Sequence, residues 1–143
     1  MDYPEEQLLV GAARSVWSGS DARIKIGIDV GRKLALEMEP FFSEGLELVF
    51  ITDSDIRHIK RSHGDLEKQR GQLDITPDDF ALIPKVLNEF DGCEHTDTDK
   101  LGNRKFLIRK NVGNQVYLVT IQRGKKKMQI KTMWKSNQSG ASC

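Results

Sequence analysis

Apolar positions between residues 4 and 17 (PEEQLLVGAARSVW) recur at helical spacing, with Leu8, Leu9, Ala12, Ala13 and Val16 on one side. SGSD at 18–21 breaks that pattern. RIKIGID at 23–29 then reads as a strand, and VGRKLALEME at 30–39 as a helix that offers Leu34, Leu36 and Met38 to a core and ends at Pro40. LELVFI at 46–51 is a second strand. Thr52 or Asp53 caps the following helix, with Asp55 in its first turn, where a carboxylate favours the helix dipole, and Gly64 stops it. In DITPDDFALIPKVLNEF, 74–90, Thr76 is an N-cap, Pro77 the first helical residue and Asp79 the capping-box partner. Pro84 interrupts the run, which predicts a kink or two short helices.

Beyond residue 90 the period changes from helical to alternating. GCEHTDT at 92–98 is an edge strand, RKFLIRK at 104–110 alternates, NVGN turns, QVYLVTIQ at 115–122 is the clearest strand, RGKK turns again, and KMQIKTMW at 127–134 closes the series. NQSGASC at 137–143 is expected to be a disordered tail. The fold class is α+β: N-terminal helices packed on a twisted antiparallel sheet of about four strands. One domain is expected over 1–136, with a helical extension at 1–23 and a core at 24–136.

Charge sharpens this picture. The 143 residues carry a net charge of only +1, but every one of the 21 Asp and Glu lies before residue 100, whereas 11 of the 22 Lys and Arg lie after residue 99. A 44-residue stretch without a carboxylate, in a region that reads as hairpins, suits a polyanion, most simply nucleic acid. No apolar run approaches a membrane span, and the acidic start, MDYPEEQLL, lacks the layout of a signal peptide. Two cysteines, Cys93 and Cys143, make neither a disulfide framework nor a four-ligand metal spacing. No metal or other cofactor is expected, and neither a glycine-rich phosphate loop nor a serine-nucleophile motif is present.

The candidate chemistry sits in DIRHIKRSHGD, 55–65. His58 and His63 flank Lys60 and Arg61, and Arg57 precedes them. Five residues rotate the two imidazoles by about 140° on a helix, so they share a face only if His63 lies in the last turn. With ordinary pKa values near 6.5, one imidazole can be protonated while the other is not. That pair suits RNA cleavage: a base takes the 2′-OH proton, the oxygen attacks the adjacent phosphate, and an acid protonates the leaving 5′-oxygen. Cations must stabilise the charge on the phosphorane, and Lys105, Arg109 and Arg123 are the candidates. Alternation on the closing strand places Met128, Ile130, Thr132 and Trp134 on the helix-covered side, with Gln129, Lys131, Met133 and Lys135 opposite. Thr132 is either an ordinary β-branched residue or a hydroxyl that positions a phosphate. Tyr117, Phe106 and Trp134 are the aromatics available for stacking. His95, in an acidic stretch, is the weakest of the three histidines.

Three segments carry a family resemblance: VFITDSDIRHIKRSHGD, then ITPDDFALIPKVLNEFD, then KFLIRKNVGNQVYLVTIQRGKKKMQIKTMWKS. Their order resembles the phage-associated branch of the barnase/EndoU/colicin D/RelE-like nucleases, found in phage minor head proteins and polymorphic toxins. The resemblance covers roughly residues 24–136. It implies helices on a four-stranded antiparallel sheet and metal-independent ribonuclease activity toward tRNA or another RNA. It further implies action in the cytoplasm of a target cell, delivery by a phage particle or secretion system, and a cognate immunity protein. Carried over by motif position, His58 and His63 match the helix histidines, Thr132 the closing-strand hydroxyl with Ser136 extending it, and Arg109 and Lys105 the basic strand. The site expected is therefore His58, His63, Thr132 and Arg109 for catalysis, with Lys105, Arg123, Lys131, Ser136 and Tyr117 on the RNA, in a monomer. A silent nucleic-acid-binding module and a phage-head protein-interaction domain are the competing readings.

Overall fold

The computed structural model describes residues 3–41, 46–64, 72–98, 104–123 and 127–137. Helix α1 (Glu6–Trp17) is followed by strand β1 (Lys25–Asp29), helix α2 (Arg32–Met38), strand β2 (Leu48–Thr52) and helix α3 (Asp53–His63). A 3-10 helix (Pro77–Leu82) runs into helix α4 (Ile83–Asn88), and four strands follow: β3 (Gly92–Thr98), β4 (Arg104–Val112), β5 (Gln115–Arg123) and β6 (Met128–Asn137). The interruption expected at Pro84 is this change of helix type. Pro84 stands in the first turn of α4, where its missing N–H leaves no intrahelical partner unsatisfied.

The sheet has six strands in the order β1-β2-β6-β5-β4-β3, not the four expected. The two N-terminal strands, connected through α2, pair antiparallel, and β2 joins β6 through a short parallel contact, Val49 with Met128 and Phe50 with Gln129. All other pairings are antiparallel, and GCEHTDT is the edge strand its composition suggested. Gly113, at φ 61°, opens the tight turn between β4 and β5, a conformation that glycine adopts without a steric penalty. The RGKK turn falls partly outside the described residues; of the tail expected over 137–143, Asn137 is instead the last residue of β6, and the rest lies outside the described residues.

One side of the sheet is apolar and carries the helices. Val49, Ile51, Phe106, Ile108, Val119, Ile121, Ile130 and Met133 are all buried there against Leu9, Ile56, Ile59, Phe80 and Ile83. Burying a side chain of this size contributes about 1.5–3 kcal/mol, so this layer supplies most of the driving force for folding. Beside it lies a charged pin. The Asp79 carboxylate, 6% exposed, accepts from Tyr117 Oη at 2.6 Å and Lys135 Nζ at 3.0 Å. It also closes a capping box with Thr76, accepting from the Thr76 N–H at 2.7 Å. Burial and this carboxylate push the Tyr117 phenol well above its ordinary pKa.

The register of β6 overturns the facing read from alternation. Thr132 pairs with Thr120, but Ile130 pairs with Ile121, so Lys131 is the extra residue of a β-bulge. The bulge flips the strand. Met133 is buried in the core with Val119, while Thr132, Trp134 and Ser136 turn to the opposite, outer face, beside Thr120, Leu118 and Val116.

Candidate nuclease site

Two contacts lay α3 along β6. At its start, Thr52 and Asp55 form a capping box, and the buried Asp55 carboxylate also accepts from Gln129 Nε2 at 2.7 Å. At its end, the His63 imidazole stacks on Trp134, with ring centroids 5.7 Å apart and planes 26° from parallel. From Asp55 to His63 the helix rises about 12 Å. Five unbroken strand steps from Gln129 to Trp134 would span about 16 Å. The bulge at Lys131 reduces this to the four steps counted on β5, Gln122 to Leu118, or about 13 Å. The bulge thus lets both ends of α3 dock at once, and it also brings Trp134 to the outer face.

Cross-strand pairing sets the rest of the face in rows. Gly92, Arg109, Leu118 and Trp134 form one row across β3, β4, β5 and β6. Glu94, Leu107, Thr120 and Thr132 form the next, and Lys105, Gln122 and Gln129 lie beyond. Asn111, Val116 and Ser136 flank the other side. Trp134, on which His63 stacks, and the exposed Arg109 therefore stand in one row, their backbones two strand spacings or about 10 Å apart. The Arg109 guanidinium lies against Gly92: a Cβ built there would meet Arg109 Nη2 at 2.6 Å. Arg109, Gly92, Cys93, Glu94 and Leu107 line a shallow hollow of about 220 Å³. Cys93 pairs with the buried Ile108 and packs its side chain against the core, where burial raises the thiol to about 11. The cationic strip continues past β6, where Lys25 and Lys127 sit 4.8 and 5.5 Å from the centre of the Phe50 ring. Lys127 beside it lowers the pKa of the Lys25 ammonium.

Of the residues singled out from the sequence, this face unites His63, Thr132, Arg109, Lys105 and Ser136. Lys131 is exposed at the bulge. His58 is exposed, 60° around the helix from Asp55 and on the opposite flank from Ile56. Two residues fall elsewhere. Tyr117, 3% exposed and bonded to Asp79, has no ring face to offer a base; it is a core residue. Arg123 pairs with the buried Met128, so alternation turns it to the helical side, away from Lys105 and Arg109. His95 packs at the edge of the core, its ring 5.3 Å from that of Phe106.

Gly92 and Glu94 were missed because a short polar edge strand gives no hint of its cross-strand neighbours. Trp134 was assigned to the core because alternation was carried through a bulge. Among the described residues no group of three or more His, Cys, Asp or Glu could hold a metal ion.

The family described as phage-Barnase-EndoU-ColicinE5/D-RelE like nuclease3 matches residues 32–142, most of the chain. The chain belongs to this family. The match takes in α2, α3, the helices at 77–88 and strands β2 to β6, so it includes every residue of the His63–Trp134–Arg109 row. A nuclease domain is what the family description supports. No curated protein and no solved structure matches the chain. No described helix is long and apolar enough to cross a membrane.

Proposed function

We propose that this nuclease domain is an endoribonuclease that cleaves by attack of the ribose 2′-oxygen on the adjacent phosphodiester. The observation that carries this reading is the single row joining the His63–Trp134 stack to Arg109, with the Thr132 hydroxyl one row away. In this account an RNA backbone lies over β4, β5 and β6. Arg109 and Lys105 hold the phosphate and offset the charge that grows on its oxygens. Trp134 fixes the orientation of His63, and His58 works from the exposed flank of the same helix. One imidazole accepts the 2′-OH proton while the other protonates the 5′-oxygen as the P–O5′ bond breaks. The 2′-O–P bond forms in the same step, which leaves a 2′,3′-cyclic phosphate and a free 5′-hydroxyl.

The cationic outer face suits a folded RNA such as tRNA, whose phosphates would release counterions on binding. It also suits an acidic immunity protein that covers β4–β6, which mapping the interface of such a complex would test. The activity test is incubation with total tRNA, with and without EDTA, followed by end-group analysis. Cyclic phosphate ends that persist in EDTA are expected. Binding without cleavage would favour a silent module, and cleavage only with added metal would remove the mechanism.

A further inference from the structure

The outer edge of β6 holds three buried polar oxygens without partners, two of which, on Gln72 and Asp74, the catalytic account does not use. Gln72 Oε1, Asp74 Oδ1 and Thr132 Oγ1 are buried and, among the described residues, have no hydrogen-bond partner. The segment that carries the first two is fixed at both ends. Leu73 N–H donates to Lys135 O at 3.0 Å in an antiparallel bridge, and Ile75 N–H donates to His63 O at 2.8 Å. The same register sets Asp74 opposite Trp134 and Gln72 opposite Ser136, on the outer face. Thr132 is one outer-face step from Trp134. The register therefore places Gln72, Asp74 and Thr132 on the outer face, each opposite Trp134 or one side-chain step along the strand from it.

Buried acceptors without donors are costly, and a native fold carries few of them. All three residues are partly exposed, so their buried oxygens lie just below the surface. The terminal torsions of Asp and Gln are soft, and a small rotation presents them to a ligand. A carboxylate on a face built for phosphates is otherwise repelled by them. It is accounted for if it meets the part of RNA that donates hydrogen bonds, the base edge.

We infer that Gln72, Asp74 and Thr132, beside Trp134, form a nucleobase subsite selective for guanine. This inference rests on the ribonuclease reading for its ligand class. The bases differ in what they present. Uracil offers one N–H between two carbonyls, and cytosine and adenine offer an amino group next to a ring acceptor. Guanine alone offers two adjacent donors, N1–H and the N2 amino group, which a carboxylate accepts side by side. The Trp134 indole supplies π surface for the ring.

The test measures binding of 3′-GMP, 3′-AMP, 3′-CMP and 3′-UMP by calorimetry, to the wild type and to Asp74→Asn and Gln72→Ala. The wild type is expected to bind 3′-GMP at least tenfold more tightly than the other three. Asp74→Asn is expected to abolish that preference and Gln72→Ala to reduce it. Equal binding of the four nucleotides by the wild type overturns the inference without recourse to any variant. So does a guanine preference that survives in a folded Asp74→Asn protein. Cleavage of tRNA is scored separately. Selective 3′-GMP binding without cleavage would leave the subsite standing and remove the ribonuclease reading; cleavage without selectivity would do the reverse.

Discussion

Gly92→Ala separates activity from stability more cleanly than removing a charged group. The added methyl would lie 2.6 Å from Arg109 Nη2, 3.3 Å from Cζ and 3.4 Å from Nε. Ordinary carbon–nitrogen contact begins near 3.4 Å, so the end of the guanidinium must move by about 0.8 Å. It is the far end of a flexible side chain on an exposed residue, so the movement costs little, and alanine is the better strand residue by about 0.5–1 kcal/mol. Urea unfolding is therefore expected to show unchanged or slightly higher stability. Activity should respond in the opposite direction. Loss of one donor to a developing oxyanion costs about 100- to 1000-fold, and displacement of that donor by under 1 Å forfeits part of this, about 10- to 100-fold in kcat. The assay is single-turnover cleavage of a labelled RNA, with Arg109→Ala beside it as the larger loss. Full activity in Gly92→Ala, with Arg109→Ala also unimpaired, would refute the role given to the Gly92–Arg109 contact and to that end of the row.

Asp79→Ala should cost about 3–5 kcal/mol in urea unfolding, because it strands Lys135 and the Tyr117 hydroxyl, both of which bond the carboxylate. The double variant Asp79→Leu/Lys135→Met should recover much of that loss, since it leaves no charge buried alone. Stability should fall as pH rises above about 9. The folded state holds protons on Cys93, raised from 9.0 to about 11, and on Tyr117, raised from 10.0, that the unfolded chain gives up earlier. Chemical denaturation from pH 7 to 11 reads this slope, and a flat profile would contradict the burial of both groups. RNA affinity should fall steeply and linearly with log salt, with Lys105→Ala and Lys131→Ala each reducing the slope by about 1; an unchanged slope in either variant would take that lysine off the RNA path.

Much of the scaffold could be read from local chemistry. The capping boxes at Thr52 and Thr76 arise from residues three apart, so Thr52–Asp55 and Thr76–Asp79 were visible as strings. The strands from 92 onward followed from alternation. Pairing between distant segments was not visible. Nothing in LELVFI specifies a parallel contact with β6, and nothing in KMQIKTMW marks Lys131 as a bulge. That one extra residue reverses Thr132 and Trp134 from the core side to the outer face and exchanges them with Met133. The histidine pair was legible as chemistry, but its geometry was not. His63 reaches the sheet because the bulged β6 and α3 match in length, whereas His58 stays exposed. Asp74 opens the segment read as helical, Gln72 lies just before it, and only the bridge of Leu73 to Lys135 brings them to Trp134's side.

The most direct measurement compares cleavage of total tRNA in EDTA by the wild type, His63→Ala and His58→Ala, each checked for folding by circular dichroism. The account predicts fragments ending in 2′,3′-cyclic phosphate from the wild type. It predicts a loss of at least about 100-fold in folded His63→Ala, whose imidazole is the one seated on Trp134. Undiminished cleavage by His63→Ala would contradict it.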